Sequence, residues 1–203
     1  MTSTFREFFQ RIRFGEPIVV VSGLPRSGTS MTMKMLEAGG KTLIMDGVRT
    51  ADEDNPKGYF EDERVKDLNK EQDKQWLLEA RGKVIKIISF LLPDLPGSNR
   101  YKVLFMRRNI DEVLASQAKM LARRGESSET SDERMKELYE DHLRKVSHLI
   151  AHRPELETID VSYKGVLDDP RGESERIRQF LGEDLDVDKM VSVVDERLYR
   201  NRR

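Results

Sequence analysis

Cysteine is absent from the chain, which excludes a disulfide scaffold, a thiolate metal site and a cysteine nucleophile. No apolar run reaches the length of a bilayer span. The opening stretch, Met1 to Phe14, carries too many charges for a signal peptide, so a cytoplasmic protein with no membrane partner is expected. An excess of charge of one sign is also missing: 36 Lys and Arg stand against 37 Asp and Glu, a net charge of −1. With no global positive field, nucleic acid is not an expected partner. The 13 glycines and 7 prolines mark turns and form no linker, and no internal repeat divides the 203 residues. One domain, residues 1–203, is therefore expected, with a substantial core under a heavily ionised surface. Oligomeric state is not readable, because no heptad seam is present.

What is present is concentrated early. Ile18-Val19-Val20-Val21-Ser22-Gly23 reads as a buried strand, and Leu24-Pro25-Arg26-Ser27-Gly28-Thr29-Ser30 as a compact turn opening a helix. Backbone N–H groups at the start of that helix lack intrahelical acceptors, and an anion satisfies them. Arg26, Ser27, Thr29 and Ser30 add side-chain donors suited to oxyanions. The interval from Gly23 to Gly28 is that of a nucleotide phosphate loop, but Thr29 stands where an ATPase carries lysine. That lysine spans the β- and γ-phosphates in an ATPase, so a single capped 5′-phosphate fits this loop better than a metal-bound triphosphate.

Along the chain, strands alternate with helices, which predicts an α/β fold with a three-layer parallel sheet. A helix through Met31, Met35 and Leu36 ends at Gly39-Gly40, and Thr42 to Met45 reads as the second strand. The stretch from Asp46 to Gly58 is a long polar loop of the kind that carries function. Val65, Leu68, Gln72, Trp76 and Leu77 suggest a long amphipathic helix ending near Gly82. Further strands are expected at Lys83 to Ser89, Tyr101 to Met106 and Glu157 to Ser162. Helices are expected from Asp111 to about Arg123 with Asn109 as cap, from Asp132 to Ala151, from about Glu173 to Leu181, and from Asp188 to Leu198. Phe5, Phe8, Phe9 and Ile12 fall at helical spacing, in a helix expected to cover a sheet edge. His142, His148 and His152 share one predicted helix but not one face, so they are read as packing or surface residues and no metal site is expected.

Pro25-Arg26-Ser27-Gly28-Thr29-Ser30 resembles the 5′-phosphosulfate loop of sulfotransferases that use 3′-phosphoadenosine 5′-phosphosulfate (PAPS), in the Pro-Arg form of tyrosylprotein and many bacterial members. Two further segments match in family order. Val103 to Arg108, then Asn109 to Ser116, is similar to the family's 3′-phosphate site, with Arg108 and Ser116 at the family's spacing; Arg107 is an alternative to Arg108. Val161 to Pro170, then Ile177 to Gly182, is similar to the family's strand–Tyr–loop–Asp-Pro–helix segment, which implies that Tyr163 meets the adenine. The resemblance spans about residues 17 to 182 and implies a P-loop NTPase-like fold. It implies PAPS as donor, adenosine 3′,5′-bisphosphate as product, no required metal, and a small-molecule or peptide acceptor. The C-terminal Arg200 or Arg203 would close over the 3′-phosphate.

The acceptor side departs from the cytosolic branch. Lys86 is kept, to neutralise charge on the departing phosphate, but Ile88 stands where that branch has a histidine base. Other branches place a glutamate after the second strand. The carboxylates there are Asp46, Asp52, Glu53 and Asp54, with Asp46 first and Glu53 next as proton acceptor. Two rival classes remain open at this point: a P-loop kinase or NTPase, and a non-catalytic module that binds adenosine bisphosphate.

Overall fold

The computed structural model describes residues 14–48, 58, 60–126, 128 and 130–195. The expected N-terminal helix, Asp52, Glu53, Asp54, Arg200 and Arg203 lie outside them.

Strand β1 (Ile18–Gly23) is wholly buried, as an unbroken β-branched run in a parallel sheet should be. It is flanked by β3 (Val84–Lys86) and β4 (Tyr101–Arg107), with β2 (Leu43–Ile44) and β5 (Leu156–Ser162) at the edges. The order is β2-β3-β1-β4-β5, and every pairing is parallel. The strand alternation sorts residues between two layers. Val19 and Val21 face α1 (Thr29–Ala38) and the C-terminal α4 (Tyr163–Asp168), α5 (Pro170–Leu181) and α6 (Val187–Ser192). Ile18 and Val20 face Leu68, Leu77, Leu92 and Val146, the last on α3 (Asp132–His152). A third cluster joins Leu24 to α2 (Ile110–Arg123) and to Tyr139 of α3. The three-layer parallel α/β arrangement agrees with the sequence.

Several elements differ from expectation. No long helix runs through Val65 to Leu77; two 3-10 segments, Glu63–Asp67 and Gln75–Ala80, replace it. Asp62 accepts from the Arg64 N–H at 3.0 Å and Asp73 from the Gln75 N–H at 2.9 Å. Each of these bonds starts a fresh turn with donors a continuous helix would use. The second strand shortens to an edge of two residues, and the third ends at Lys86, after which Ser89–Asp94 coils as 3-10. The helix expected from Glu173 starts at Pro170, pre-organised for a first turn, and stops at Gly182 in the left-handed region. A short helix at Tyr163 was not anticipated, and the last helix ends at Ser192, short of Leu198.

From β1 the chain builds β2 and β3 on one side of it and then crosses to build β4 and β5 on the other. In open parallel sheets, ligands bind beyond the carboxyl ends of strands at such a switch point.

Candidate active site

At that switch point the chain leaves β1 through Gly23, whose φ is +148°. A Cβ on Gly23 would stand 2.6 Å from Ser27 Oγ and 2.9 Å from the Met106 carbonyl, so the turn closes only without a side chain. Arg26 sits at φ +68°, a left-handed position that a non-glycine residue takes only when its surroundings fix it. Gly28 follows at φ +104° as the N-cap of α1.

The N-cap of α1 makes no side-chain bond, and its first turn holds no acidic residue, which leaves its leading N–H groups without a cap there. Ser27 is 1% exposed, and its Oγ has no hydrogen-bond partner among the described residues. A buried hydroxyl without a partner beside such a helix start suits an anion.

Cations reach this cradle from neighbouring strands. Register puts Lys86 of β3 level with Val21, before the loop begins. Its side chain is 8% exposed and extends its ammonium to Ser30 Oγ at 3.4 Å and to Glu61 Oε1 at 2.9 Å. The ammonium missing at Thr29 is thus supplied from the adjacent strand.

On the other flank, β4 pairs Gly23 with Met106, so the doublet Arg107-Arg108 projects just past the loop. The two arginines diverge. Arg107 turns outward to Asp160 at 2.9 Å and lies over Phe105. Arg108 turns inward: one guanidinium nitrogen donates to the Arg26 carbonyl at 3.0 Å, and Nε donates to Glu112 Oε2 at 3.0 Å. Arg108 and Glu112 are both nearly buried, at 7% and 6%. Asn109 accepts from the Asp111 N–H at 2.8 Å and starts α2, which presents Ser116 two turns on. Arg26 Nε donates to Ser116 Oγ at 3.1 Å. Arg26, Arg108 and Ser116, distant in sequence, are therefore one connected group.

Tyr163 locks this group from behind. Ser162 caps α4 by accepting from the Gly165 N–H at 3.0 Å, which turns the Tyr163 ring inward. The ring lies 4.1 Å from the Arg108 guanidinium carbon, a cation–π contact. A Cβ on Gly28 would stand 2.5 Å from Tyr163 Cδ2. Burial pushes the Tyr163 phenol above its usual pKa, so it stays protonated.

Asp46 does something other than wait for a proton. Its Oδ1 accepts from the Val48 N–H at 2.9 Å and its Oδ2 from the Glu63 N–H at 2.6 Å. Those backbone bonds hold the carboxyl below its usual pKa. Its own N–H donates to the Glu61 carbonyl at 3.2 Å. Asp46 pins the returning loop to the end of β2.

One group escaped the sequence reading. Glu61 meets Lys86 at the sheet edge. Its signal was Phe60, an apolar residue in a polar loop, marking where the chain rejoins the core. His142 pairs with buried Ser89, Nε2 to Oγ at 2.8 Å, and stacks on Phe90 with centroids 3.7 Å apart. Desolvation lowers the pKa of His142, so it is neutral near pH 7. His148 and His152 lie together further along α3, with ring centroids 4.1 Å apart.

The sulfotransferase domain family matches residues 16–203. No curated protein matches the sequence. Among solved structures, the sulfotransferase domain from the curacin biosynthetic pathway superposes with a TM-score of 0.54 at 13% identity, covering 89% of this chain and 78% of that one. At that identity the likeness is one of fold. No helix among the described residues is long and apolar enough to cross a membrane.

Proposed function

The chain belongs to the sulfotransferase domain family, and we propose that it moves the sulfuryl group of 3′-phosphoadenosine 5′-phosphosulfate to a hydroxyl or amine of a small-molecule or peptide acceptor. The observation that carries this reading is the junction of an uncapped α1, orphaned Ser27 Oγ and the linked Arg26–Ser116–Arg108 group. The donor supplies an activated sulfuryl on a phosphate leaving group. Gly28, Thr29 and Ser30 offer N–H groups, and Ser27 a hydroxyl, to the 5′-phosphate. Arg26 and Lys86 face the charge that grows on the departing phosphate oxygen. Arg108 and Ser116 are suited to the 3′-phosphate, with Glu112 and Tyr163 fixing the guanidinium fork. The family resemblance assigns Tyr163 to the adenine as well. No residue in this scheme calls on a metal.

Transfer of labelled sulfate from PAPS, to acceptor or to water, tests the proposal with wild type beside Arg26→Ala. Removing a preorganised charge from a transition-state site costs on the order of 10²–10³ in rate. Equal activity in the two proteins would remove the basis of the assignment.

A further inference from the structure

Resting on the assignment of the 3′-phosphate to Arg108 and Ser116, we propose that Glu112 is the resident counter-ion of that subsite. Its charge sets how tightly, and for how long, the nucleotide's 3′-phosphate is held. The Arg108 side chain is 7% exposed, and a guanidinium that deep needs an opposite charge beside it. Glu112 supplies one from the next turn of the chain, with Oε2 3.0 Å from Nε and its own side chain 6% exposed. Asp111, the other acidic residue in the first turn of α2, is turned away to Lys136 at 2.8 Å. Glu112 is thus the carboxylate of this turn that faces the site. The pair is neutral in itself, so a phosphate that comes to Arg108 meets a dipole and not a lone cation.

The aim of the guanidinium does not depend on that charge. One terminal nitrogen donates to the Arg26 carbonyl at 3.0 Å, and the Tyr163 ring lies 4.1 Å from the guanidinium carbon. Tyr163 itself packs so closely on Gly28 that a Cβ there would stand 2.5 Å from Cδ2. Backbone and ring hold the guanidinium plane, and an uncharged oxygen in place of the carboxylate would still accept from Nε. What the negative charge adds is electrostatic. Fixed on the same guanidinium as a doubly charged phosphate, it repels that phosphate across a nearly buried and weakly screened space.

The consequence concerns the product. Sulfuryl transfer leaves the 3′-phosphate untouched, so donor and product present the same group to Arg108. Binding that is equal before, during and after the chemical step does not speed that step. It does slow departure of the product, a step that often limits turnover. A carboxylate built into the subsite weakens donor and product alike, and so lets the product leave.

Glu112→Gln and Glu112→Asp test this, with adenosine 3′,5′-bisphosphate and adenosine 5′-phosphate as ligands, by calorimetry and by stopped-flow release. Glu112→Gln keeps the length of the side chain and an acceptor for Nε but no charge. It is expected to bind the bisphosphate on the order of tenfold tighter, mostly through slower release, with 5′-phosphate affinity unchanged. Glu112→Asp keeps the charge and is expected to gain no affinity for the bisphosphate. Equal or weaker binding of the bisphosphate by Glu112→Gln overturns the proposal, because a carboxylate that only fixed the fork gives that result. A gain shared by the 5′-phosphate, or by Glu112→Asp, overturns it as well. A wild type that binds the bisphosphate no better than the 5′-phosphate overturns the assignment of the 3′-phosphate, and this inference with it.

Discussion

Arg108 and Arg107 are neighbours with opposite fates. Arg107 is spent on an exposed pair with Asp160, the kind of contact worth about 0–1 kcal/mol. Arg108 is enclosed by Glu112, Tyr163 and the Arg26 carbonyl. Arg108→Lys keeps the charge beside Glu112 but loses the planar fork. The expected result is adenosine 3′,5′-bisphosphate affinity lower by roughly ten- to a hundredfold, from the loss of a charge-assisted bond of about 1.5–3 kcal/mol. Arg107→Ala is expected to leave it almost unchanged, and isothermal calorimetry distinguishes the two. The sequence put Arg108 at the family's spacing for the 3′-phosphate, with Arg107 as the alternative. Which of two adjacent side chains turns inward depends on Glu112 one helical turn on and on Tyr163 more than fifty positions away. Glu61 was hidden for a similar reason. The loop before it has no period, and only the register of β3 brings Lys86 to meet it.

Elements were legible where one period ruled. The β-branched β1, the capped α2 and the Gly-terminated α5 form close to where the pattern placed them. The region from Val65 to Leu77 was misread because its apolar spacing suits a helix, while Asp62 and Asp73 divert the backbone into separate turns. Between β2 and β3, Asp46 ties the start of the segment to its return. Asp46→Ala removes both carboxylate bonds to the Val48 and Glu63 N–H groups. Without those bonds the segment that brings Glu61 to Lys86 is held less firmly. Turnover is expected to fall about tenfold or more with bisphosphate affinity unchanged, and Asp46→Asn, which keeps an acceptor oxygen, to recover part of it. Equal rates in Asp46→Ala and wild type would show that the tether does not serve the site. The split between turnover and affinity separates positioning from general loss of structure.

At the scale of the whole molecule, the sheet order places one cradle between strands that supply cations from both flanks. The fold class was legible in one dimension, because each of the three matched segments keeps its own local grammar of strand, turn and cap. Their convergence was not, since it is a property of the order β2-β3-β1-β4-β5. The lysine absent from the loop has a structural counterpart in Lys86, whose ammonium reaches Ser30 Oγ at 3.4 Å. An ammonium rising from beneath the loop suits one phosphate with a transferable cap.

The central claim is therefore ligand choice, and thermal unfolding with two ligands tests it most directly. At about 100 times its dissociation constant, a ligand of the folded state stabilises it by roughly 2.7 kcal/mol. For a chain of this size that raises the melting temperature by about 5–10 °C. The expected result is a shift of this size with adenosine 3′,5′-bisphosphate and a much smaller one with Mg-ATP at equal concentration. A larger shift with Mg-ATP, or none with the bisphosphate, would contradict the account.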